Sequence, residues 1–278
     1  MWHRLANGLN RAWRLVATGL SFAVFGIGGL LLGLVVCIVL RIIIPDPDAY
    51  AQAARRLVSR AFRLFVTFMS AVGVLRWRVD GLEHWQRDRS YLVIANHPTL
   101  IDIVFLIGLF DGADCVVKAG VLRNPFWGLL VRAADYVSNE DPAALLDEAA
   151  GRLRTGRTVV AFPEGTRTTP GQQLVAAPAV SAIAVRAGCT CLPVVISCTP
   201  LTLYKNLAWH DVPAARVDFR LRICPAWDVP RAEGSLAEQR RAAHELGRKI
   251  EEFYVREIIP GAAIAGAVPA KAGVSPVL

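Results

Sequence analysis

The chain has 278 residues, of which 54% are apolar and only 19% charged. That excludes a disordered, low-hydrophobicity chain and argues against a purely soluble globule, while the length fits one large domain or a domain with an extension. The net charge of +8 is uneven: residues 1–80 hold ten Arg, no Lys and no Glu, with Asp46, Asp48 and Asp80 as the only acids, so about +7 sits there and the rest of the chain is near neutral. A segment that is both the most basic and the most apolar points to membrane attachment. A nucleic-acid binder would spread its basic residues over a polar face. The six cysteines form no CxxC pair and no zinc-ligand spacing with His, and most lie in apolar stretches. They read as reduced, buried thiols in a reducing compartment.

Arg14 and Arg41 bracket 26 uncharged residues, Leu15 to Leu40. As a helix this run is about 39 Å long, enough to cross a hydrocarbon core of about 30 Å. It is too long for a cleaved signal peptide. The spacing predicts a membrane helix over 15–44, either spanning or re-entrant, stopped by Pro45 and Pro47. Gly29 and Gly33 form a GxxxG spacing, a weak signal in a Gly-rich run. A second, amphipathic helix is predicted over 49–75, with Leu57, Ala61, Phe62, Leu64, Phe65, Phe68, Met69 and Val72 on its apolar side. Arg55, Arg56, Arg60 and Arg63 would sit at lipid headgroups, or the helix would cap the next domain. Arg41, Arg55, Arg56 and Arg60 outnumber Arg4, Arg11 and Arg14 by one, which places the C-terminal side in the cytoplasm. Together these make residues 1–76 a membrane-attachment region.

From residue 77 strands and helices alternate. Tyr91–Ala95, Cys115–Lys118, Thr158–Phe162 and Leu192–Ser197 read as strands, and Val217, Phe219, Leu221 and Ile223 alternate as on a half-buried one. Helices are predicted from Ile101, from Asp141 (N-cap) with Pro142, over Pro178–Ala187, and from a Ser235/Glu238 capping box to about Ile258. This is an α/β fold, a mixed, mostly parallel sheet covered by helices on both sides, spanning 77–258. The Ala/Gly/Pro-rich stretch 259–278 is expected to be a flexible tail.

There is no GxSxG elbow, no P-loop and no GxGxxG after a strand. What remains is polar clusters just after apolar strands, where open α/β sheets place their sites. The first is Asn96-His97-Pro98-Thr99-Leu100-Ile101-Asp102. In a continuous helix His97 and Asp102 would lie about 140° apart. If the chain turns after His97 and a helix begins near Pro98 or Thr99, Asp102 can fold back onto the imidazole and hold one tautomer, leaving the other nitrogen to take a proton. A loop His and a helix-start Asp with purely structural roles is the alternative. The second cluster is Phe162-Pro163-Glu164-Gly165-Thr166-Arg167-Thr168, where Gly165 permits close backbone approach and Arg167 offers a fork for phosphate or carboxylate. Alone it could equally be an ordinary polar turn.

Together the NHPTLID and FPEGTRT segments resemble the first and third motifs of the glycerolipid acyltransferase superfamily, the lysophospholipid and 1-acylglycerol-3-phosphate acyltransferases. The apolar strand Cys191-Leu192-Pro193-Val194-Val195-Ile196 looks like the fourth. The resemblance covers roughly residues 78–230. It implies a membrane-bound O-acyltransferase in which His97 is the general base on a lipid hydroxyl and Asp102 orients it. The hydroxyl attacks the thioester of an acyl-CoA or acyl-carrier-protein donor, with no metal or redox cofactor and no nucleic acid. It further implies that Glu164, Gly165, Thr166 and Arg167 belong to the acceptor side and that Pro193 shapes the acyl side. The setting would be a bacterial inner membrane, with membrane lipids as partners and the catalytic domain facing the cytoplasm.

Two departures stand out. Asn139 occupies the place where the family's second motif has an Arg for the acceptor phosphate, and a neutral amide cannot replace a bidentate cation. Either another Arg, such as Arg123 or Arg132, supplies the charge, or the acceptor carries no phosphate there. After the third motif, Val175-Ala176-Ala177-Pro178 lacks the family's basic residue and Gly. The stretch from Ser197 to Lys205, with Trp209, is similar to acyltransferase-like proteins of the aryl polyene branch, which would give a pigment-lipid acceptor; an aromatic surface loop near the membrane is the alternative. A non-catalytic lipid-binding scaffold and an acyl thioesterase are the competing functions.

Overall fold

The structure is a computed structural model and describes residues 2–168 and 174–262. Helix α1 (Trp2–Val35) continues through a π-helical stretch, Val36–Leu40, into the last turn α2 (Arg41–Ile43). It begins at Trp2 rather than at residue 15. The chain then reverses. Asp46 accepts from the Ala49 N–H at 2.8 Å and Pro47 takes the first turn, opening α3 (Pro47–Ala71). The two helices run antiparallel: Arg41 lies over the Tyr50 ring at one end, and the Trp13 indole donates to the Val72 carbonyl at 3.0 Å at the other. Helix α3 stops four residues before the predicted Leu75 because Gly73 turns the backbone at φ +81°, which favours glycine, and Leu75 opens a strand.

The α/β region follows in the order β1 (Leu75–Asp80), β2 (Leu92–Ala95), α4 (Asp102–Leu109), β3 (Asp114–Val117), α5 (Ala119–Leu122), α6 (Gly128–Ala133), β4 (Val137–Ser138), α7 (Pro142–Arg154), β5 (Val159–Ala161), α8 (Pro178–Ala187), β6 (Thr190–Thr199), β7 (Val217–Ile223), β8 (Trp227–Asp228) and α9 (Leu236–Ala262). Both predicted caps form. The Asp141 carboxylate accepts from the Ala143 and Ala144 N–H groups, and Ser235 and Glu238 exchange hydrogen bonds before α9. Helix α9 runs past Ile258 to Ala262; the rest of the predicted tail, 263–278, lies outside the described residues.

The strands order as β1-β7-β6-β2-β5-β3-β4, with β8 on β6. Pairing is parallel except where β6 meets β7 and β8. One core lies between the sheet and α3, α4 and α6, drawing Val58, Phe62, Val66 and Met69 together with Val93, Ala95, Phe105 and Phe219. The other lies under α7, α8 and α9 and collects Leu92, Ile94, Ile183, Ile250 and Tyr254. The first core includes Val36, so the N-terminal helices share it with the sheet. The sheet is flanked by helices on both sides, as expected. On the α9 side, β1 and β7 turn polar: Arg76, Arg78, Asp80, Arg220 and Arg222 are exposed and Asp218 is half-buried, because Arg and Asp alternate there where a covered face needs apolar residues.

Arg55 departs from the headgroup reading. It is buried, donates to the Ala134 carbonyl at 3.0 Å and lies 3.8 Å from Asp114. Asp114 is itself fully buried and also receives Arg152 at 2.6 Å and Arg157 at 2.8 Å. One carboxylate thus ties α3 and α7 to β3, while Arg56, Arg60 and Arg63 remain exposed. Leu64, expected on the apolar side, faces outward. All six cysteines are free; Cys115, Cys191, Cys198 and Cys224 are buried and Cys37 and Cys189 half-buried.

Helix α1 has two apolar faces. Leu9, Trp13, Val16, Leu20, Val24, Ile27, Leu31 and Ile38 recur at helical spacing and are all exposed. The opposite face packs on the domain. Phe25 stacks near Phe62, Phe65 and Trp127. Gly29 and Gly33 are used within the chain: a Cβ on Gly29 would lie 2.4 Å from the Trp127 ring, and one on Gly33 3.3 Å from Leu129. The GxxxG spacing is therefore the close-approach seam between α1 and α6. Gly28 has nothing within 4 Å. Gly29→Ala should lower stability by about 1–3 kcal/mol through overpacking, whereas Gly28→Ala should raise it by about 0.5–1 kcal/mol. Thermal unfolding in detergent distinguishes them, and equal midpoints for the two variants would contradict this packing.

Candidate active site

Strand β2 ends at Ala95, opposite Val194 within the longer β6, and a buried amide clamps that end to β6. Asn96 donates through Nδ2 to the Ile196 carbonyl at 2.9 Å and accepts from the Ile196 N–H at 2.7 Å. His97 follows, where the backbone leaves the sheet. Residues 98–101 turn, and α4 begins at Asp102, with the predicted start Ile101 as its N-cap. The turn removes the helical offset between His97 and Asp102. His97 Nδ1 lies 2.7 Å from Asp102 Oδ2.

Asp102 is fully buried and every contact is specific. The Thr99 N–H donates to Oδ2 at 2.7 Å and the Thr99 hydroxyl to Oδ1 at 2.5 Å. Burial pushes its carboxyl above the usual range, and the hydrogen bonds from His97 and Thr99 pull the other way. The imidazole stacks on the Phe162 ring at 3.9 Å between centroids and 12° between planes. Among the described residues nothing hydrogen-bonds Nε2. Thr99 and Phe162 were not singled out as supports by sequence reasoning, although both stand inside the motifs.

The FPEGTRT turn packs directly on this loop. Glu164 Oε1 accepts from the His97 N–H at 3.0 Å and from the Thr168 hydroxyl at 2.7 Å, and the Thr168 N–H donates to the His97 carbonyl at 2.7 Å. Glu164 is a brace between the two segments and does not line the cavity described below. Burial raises its carboxyl above the usual range, partly offset by these hydrogen bonds. Gly165 turns at φ +62°, and the Ala177 N–H donates to Pro163 at 2.7 Å, so the stretch that lacks the family's basic residue supports the turn from below. Arg167 donates to the carbonyls of Leu203 and Tyr204, tying the turn to the loop after β6. That loop reaches α1, where Trp209 meets Phe22 edge-on.

A cavity of about 960 Å³ opens at His97. Gly165, Thr166, Arg167, Asn139, Lys118 and Lys205 are among its polar lining residues. Much of the rest of the wall is apolar, including Phe22 and Phe25 from α1 and Phe62, Phe65 and Met69 from α3. Pro193 lies elsewhere, buried in the middle of β6 opposite Ile94. Asn139 accepts from the Ala119 N–H at 3.1 Å. Neither Arg suggested as its substitute faces the cavity: Arg123 pairs with Glu140 at 2.9 Å, and Arg132 donates to the Leu122 carbonyl. The positive charge comes from Lys118, Arg167 and Lys205. Lys118 stands directly past β3, a place where strand ends collect functional groups, so the signal for it was in the sequence. Lys205 lies in an irregular loop and carried none.

Comparisons with known proteins agree with this arrangement. Residues 76–197 match the Acyltransferase family. A 1-acyl-sn-glycerol-3-phosphate acyltransferase of Pseudomonas aeruginosa is 28% identical over 205 residues, covering 72% of this chain and 75% of that protein. The enzyme of the same name from Borreliella burgdorferi is 28% identical over 139 residues (48% and 56%). The human 1-acyl-sn-glycerol-3-phosphate acyltransferase alpha is 27% identical over 146 (50% and 51%). In fold, the chain is similar to the crystal structure of the 1-acyl-sn-glycerophosphate (LPA) acyltransferase PlsC from Thermotoga maritima, with a TM-score of 0.62 and 24% identity over 89% of this chain and 97% of that one. Motifs, family match and fold converge: residues 76–197 match the Acyltransferase family, and the chain is an acyltransferase similar to the 1-acyl-sn-glycerol-3-phosphate acyltransferases.

Proposed function

We propose that this protein is a membrane-associated O-acyltransferase that esterifies the free hydroxyl of a 1-acylglycerol 3-phosphate, using a thioester of CoA or acyl-carrier protein as donor. The observation that carries this reading is a single cavity lined by His97, by the three cations Lys118, Arg167 and Lys205, and by many aromatic and aliphatic side chains. The cations suit a phosphate and the apolar lining suits a hydrocarbon chain. The relatives named above act on this acceptor class by name, which also supports the reading.

In the proposed chemistry Asp102 holds His97 through Nδ1, which leaves Nε2 as the base. The acceptor hydroxyl loses its proton to Nε2 as its oxygen attacks the thioester carbonyl. The C–S bond then breaks, and the imidazolium returns the proton to the leaving thiolate. The buried carboxylate stabilises the imidazolium while it exists. Phe162, stacked flat on the ring, keeps its plane fixed.

The exposed apolar stripe on α1 supports a membrane reading in which this face rests in lipid while the other stays on the domain. The antiparallel return of α3, whose outer face carries Arg56, Arg60 and Arg63, favours the re-entrant hairpin over a lone spanning helix. The donors are cytoplasmic molecules, so the catalytic domain would face the cytoplasm of a bacterial inner membrane.

Two experiments test this. With purified protein and labelled donor, Lys118→Ala and Lys205→Ala should each raise KM for lysophosphatidate by roughly five- to fiftyfold, as loss of a charge-assisted contact implies, with the donor KM little changed. An unaltered acceptor KM in both variants, or equal turnover on a lipid alcohol without phosphate, would show that the acceptor is of the pigment-lipid type instead. Ile27→Lys combined with Leu31→Lys should move the protein from the membrane to the soluble fraction, since a lysine at bilayer depth costs about 2.5–3.5 kcal/mol. Full retention on membranes at high salt would refute the stripe as the lipid-facing surface.

A further inference from the structure

The β1–β7 end of the sheet carries a patterned charge on its α9 side. In register across β1 and β7, Arg76 stands opposite Asp218, Arg78 opposite Arg220 and Asp80 opposite Arg222. Ser197 and Thr199 of β6 continue the same face, opposite Arg220 and Asp218. Helix α9 borders it at Arg222, through Glu257.

Two carboxylates here, Asp218 and Glu257, lie beneath guanidinium groups, while Asp80 is exposed at the surface. Asp218 receives Arg76 at 3.2 Å and Arg220 at 3.0 Å, and its side chain is 17% exposed against 68% and 45% for the two arginines. Glu257 of α9 receives Arg222 at 2.8 Å and Arg256 at 3.2 Å, and is 23% exposed against 44% and 73%. Each acid thus orients two arginines and retreats below them, so the surface presents mostly cationic N–H donors. Arg78, 3.8 Å from Asp80, lies between the two groups.

The position of this face decides what can meet it. It lies on the α9 side of the sheet, whereas α1 and α3 lie on the other side, over Phe105 and Phe219. The lipid-facing stripe of α1 therefore points away from it. The face starts at the end of the sheet where Leu75 and Val217 line the cavity; Arg76 and Asp218, the next residue along each strand, point to the opposite side of the sheet. From Asp218 to Arg222 the ladder extends only about 13 Å.

We propose that this arginine face docks an acidic protein, the carrier form of the acyl donor, and so holds its tethered thioester beside the cavity. The inference rests on the acyl-transfer reading above and adds the surface that recognises the donor. Charge complementarity favours a soluble acidic partner over anionic lipid, because the face looks away from the membrane side.

The test compares two donors on the full-length protein, palmitoyl-CoA and palmitoyl carried on a bacterial acyl-carrier protein. Arg78→Glu combined with Arg220→Glu should raise KM for the carrier-bound donor about tenfold or more at low salt and leave kcat and KM for palmitoyl-CoA unchanged, which also shows that the variant is folded. Arg78→Gln with Arg220→Gln should give a smaller rise in the same direction. An unchanged carrier KM in the glutamate pair, an equal loss with both donors in both pairs, or a wild type that uses only the CoA donor would each overturn the docking face while leaving acyl transfer intact. Loss of binding to anionic phosphatidylglycerol vesicles in the same variants would assign the face to lipid instead. A wild type that transfers from neither donor would sink the acyl-transfer reading, and this proposal with it.

Discussion

The site depends on one fully buried carboxylate. Asp102 has no water to solvate it, and its two oxygens are occupied by the His97 ring and by the backbone and hydroxyl of Thr99. A buried charge is tolerated only when paired and hydrogen-bonded in this way. The arrangement forces the turn over residues 98–101, fixes where α4 starts, and sets the imidazole plane against Phe162. It also fixes the neighbouring loop, because the backbone of His97 is gripped on both sides by the Glu164–Thr168 pair. Two segments far apart in sequence thus become one rigid unit at the ends of adjacent strands.

The same cavity joins this unit to the N-terminal helices. Phe25 and Phe62 belong both to the wall of the cavity and to the packing between α1, α3 and α6. The N-terminal helices and the site are therefore not separable modules here. The glycines of α1 let the helix lie close on α6, and the aromatic side chains around them fill the space that a simple anchor would leave to lipid. Cationic and apolar side chains line the same cavity.

Much of this was legible in the chain. The strand-to-helix alternation, the Asp141 and Ser235 caps, Pro178–Ala187 and the His97–Asp102 and Glu164–Arg167 segments all have local signals, either a period, a cap or a motif. What escaped is governed by tertiary contact. Arg55 reads as one of four surface arginines, and only the fold shows that Asp114 comes up beneath it. Gly29 and Gly33 read as chance in a Gly-rich run until Trp127 is placed against them. Glu164 reads as a binding residue, but its carboxylate is consumed by the backbone of His97. Pro193 reads as part of a ligand wall and is buried within the sheet. Asn139 suggested a site poor in positive charge; Lys118 and Lys205, from a strand end and a distant loop, restore that charge in a way no single segment reveals.

The central claim is that His97, held by Asp102, takes the acceptor proton. The most direct measurement is steady-state transfer by His97→Ala in membranes, at protein levels matched to wild type. The account predicts a loss of about a hundredfold to ten-thousandfold in kcat, with membrane association and thermal stability retained. Turnover within about threefold of wild type, well short of what loss of a general base costs, would contradict it.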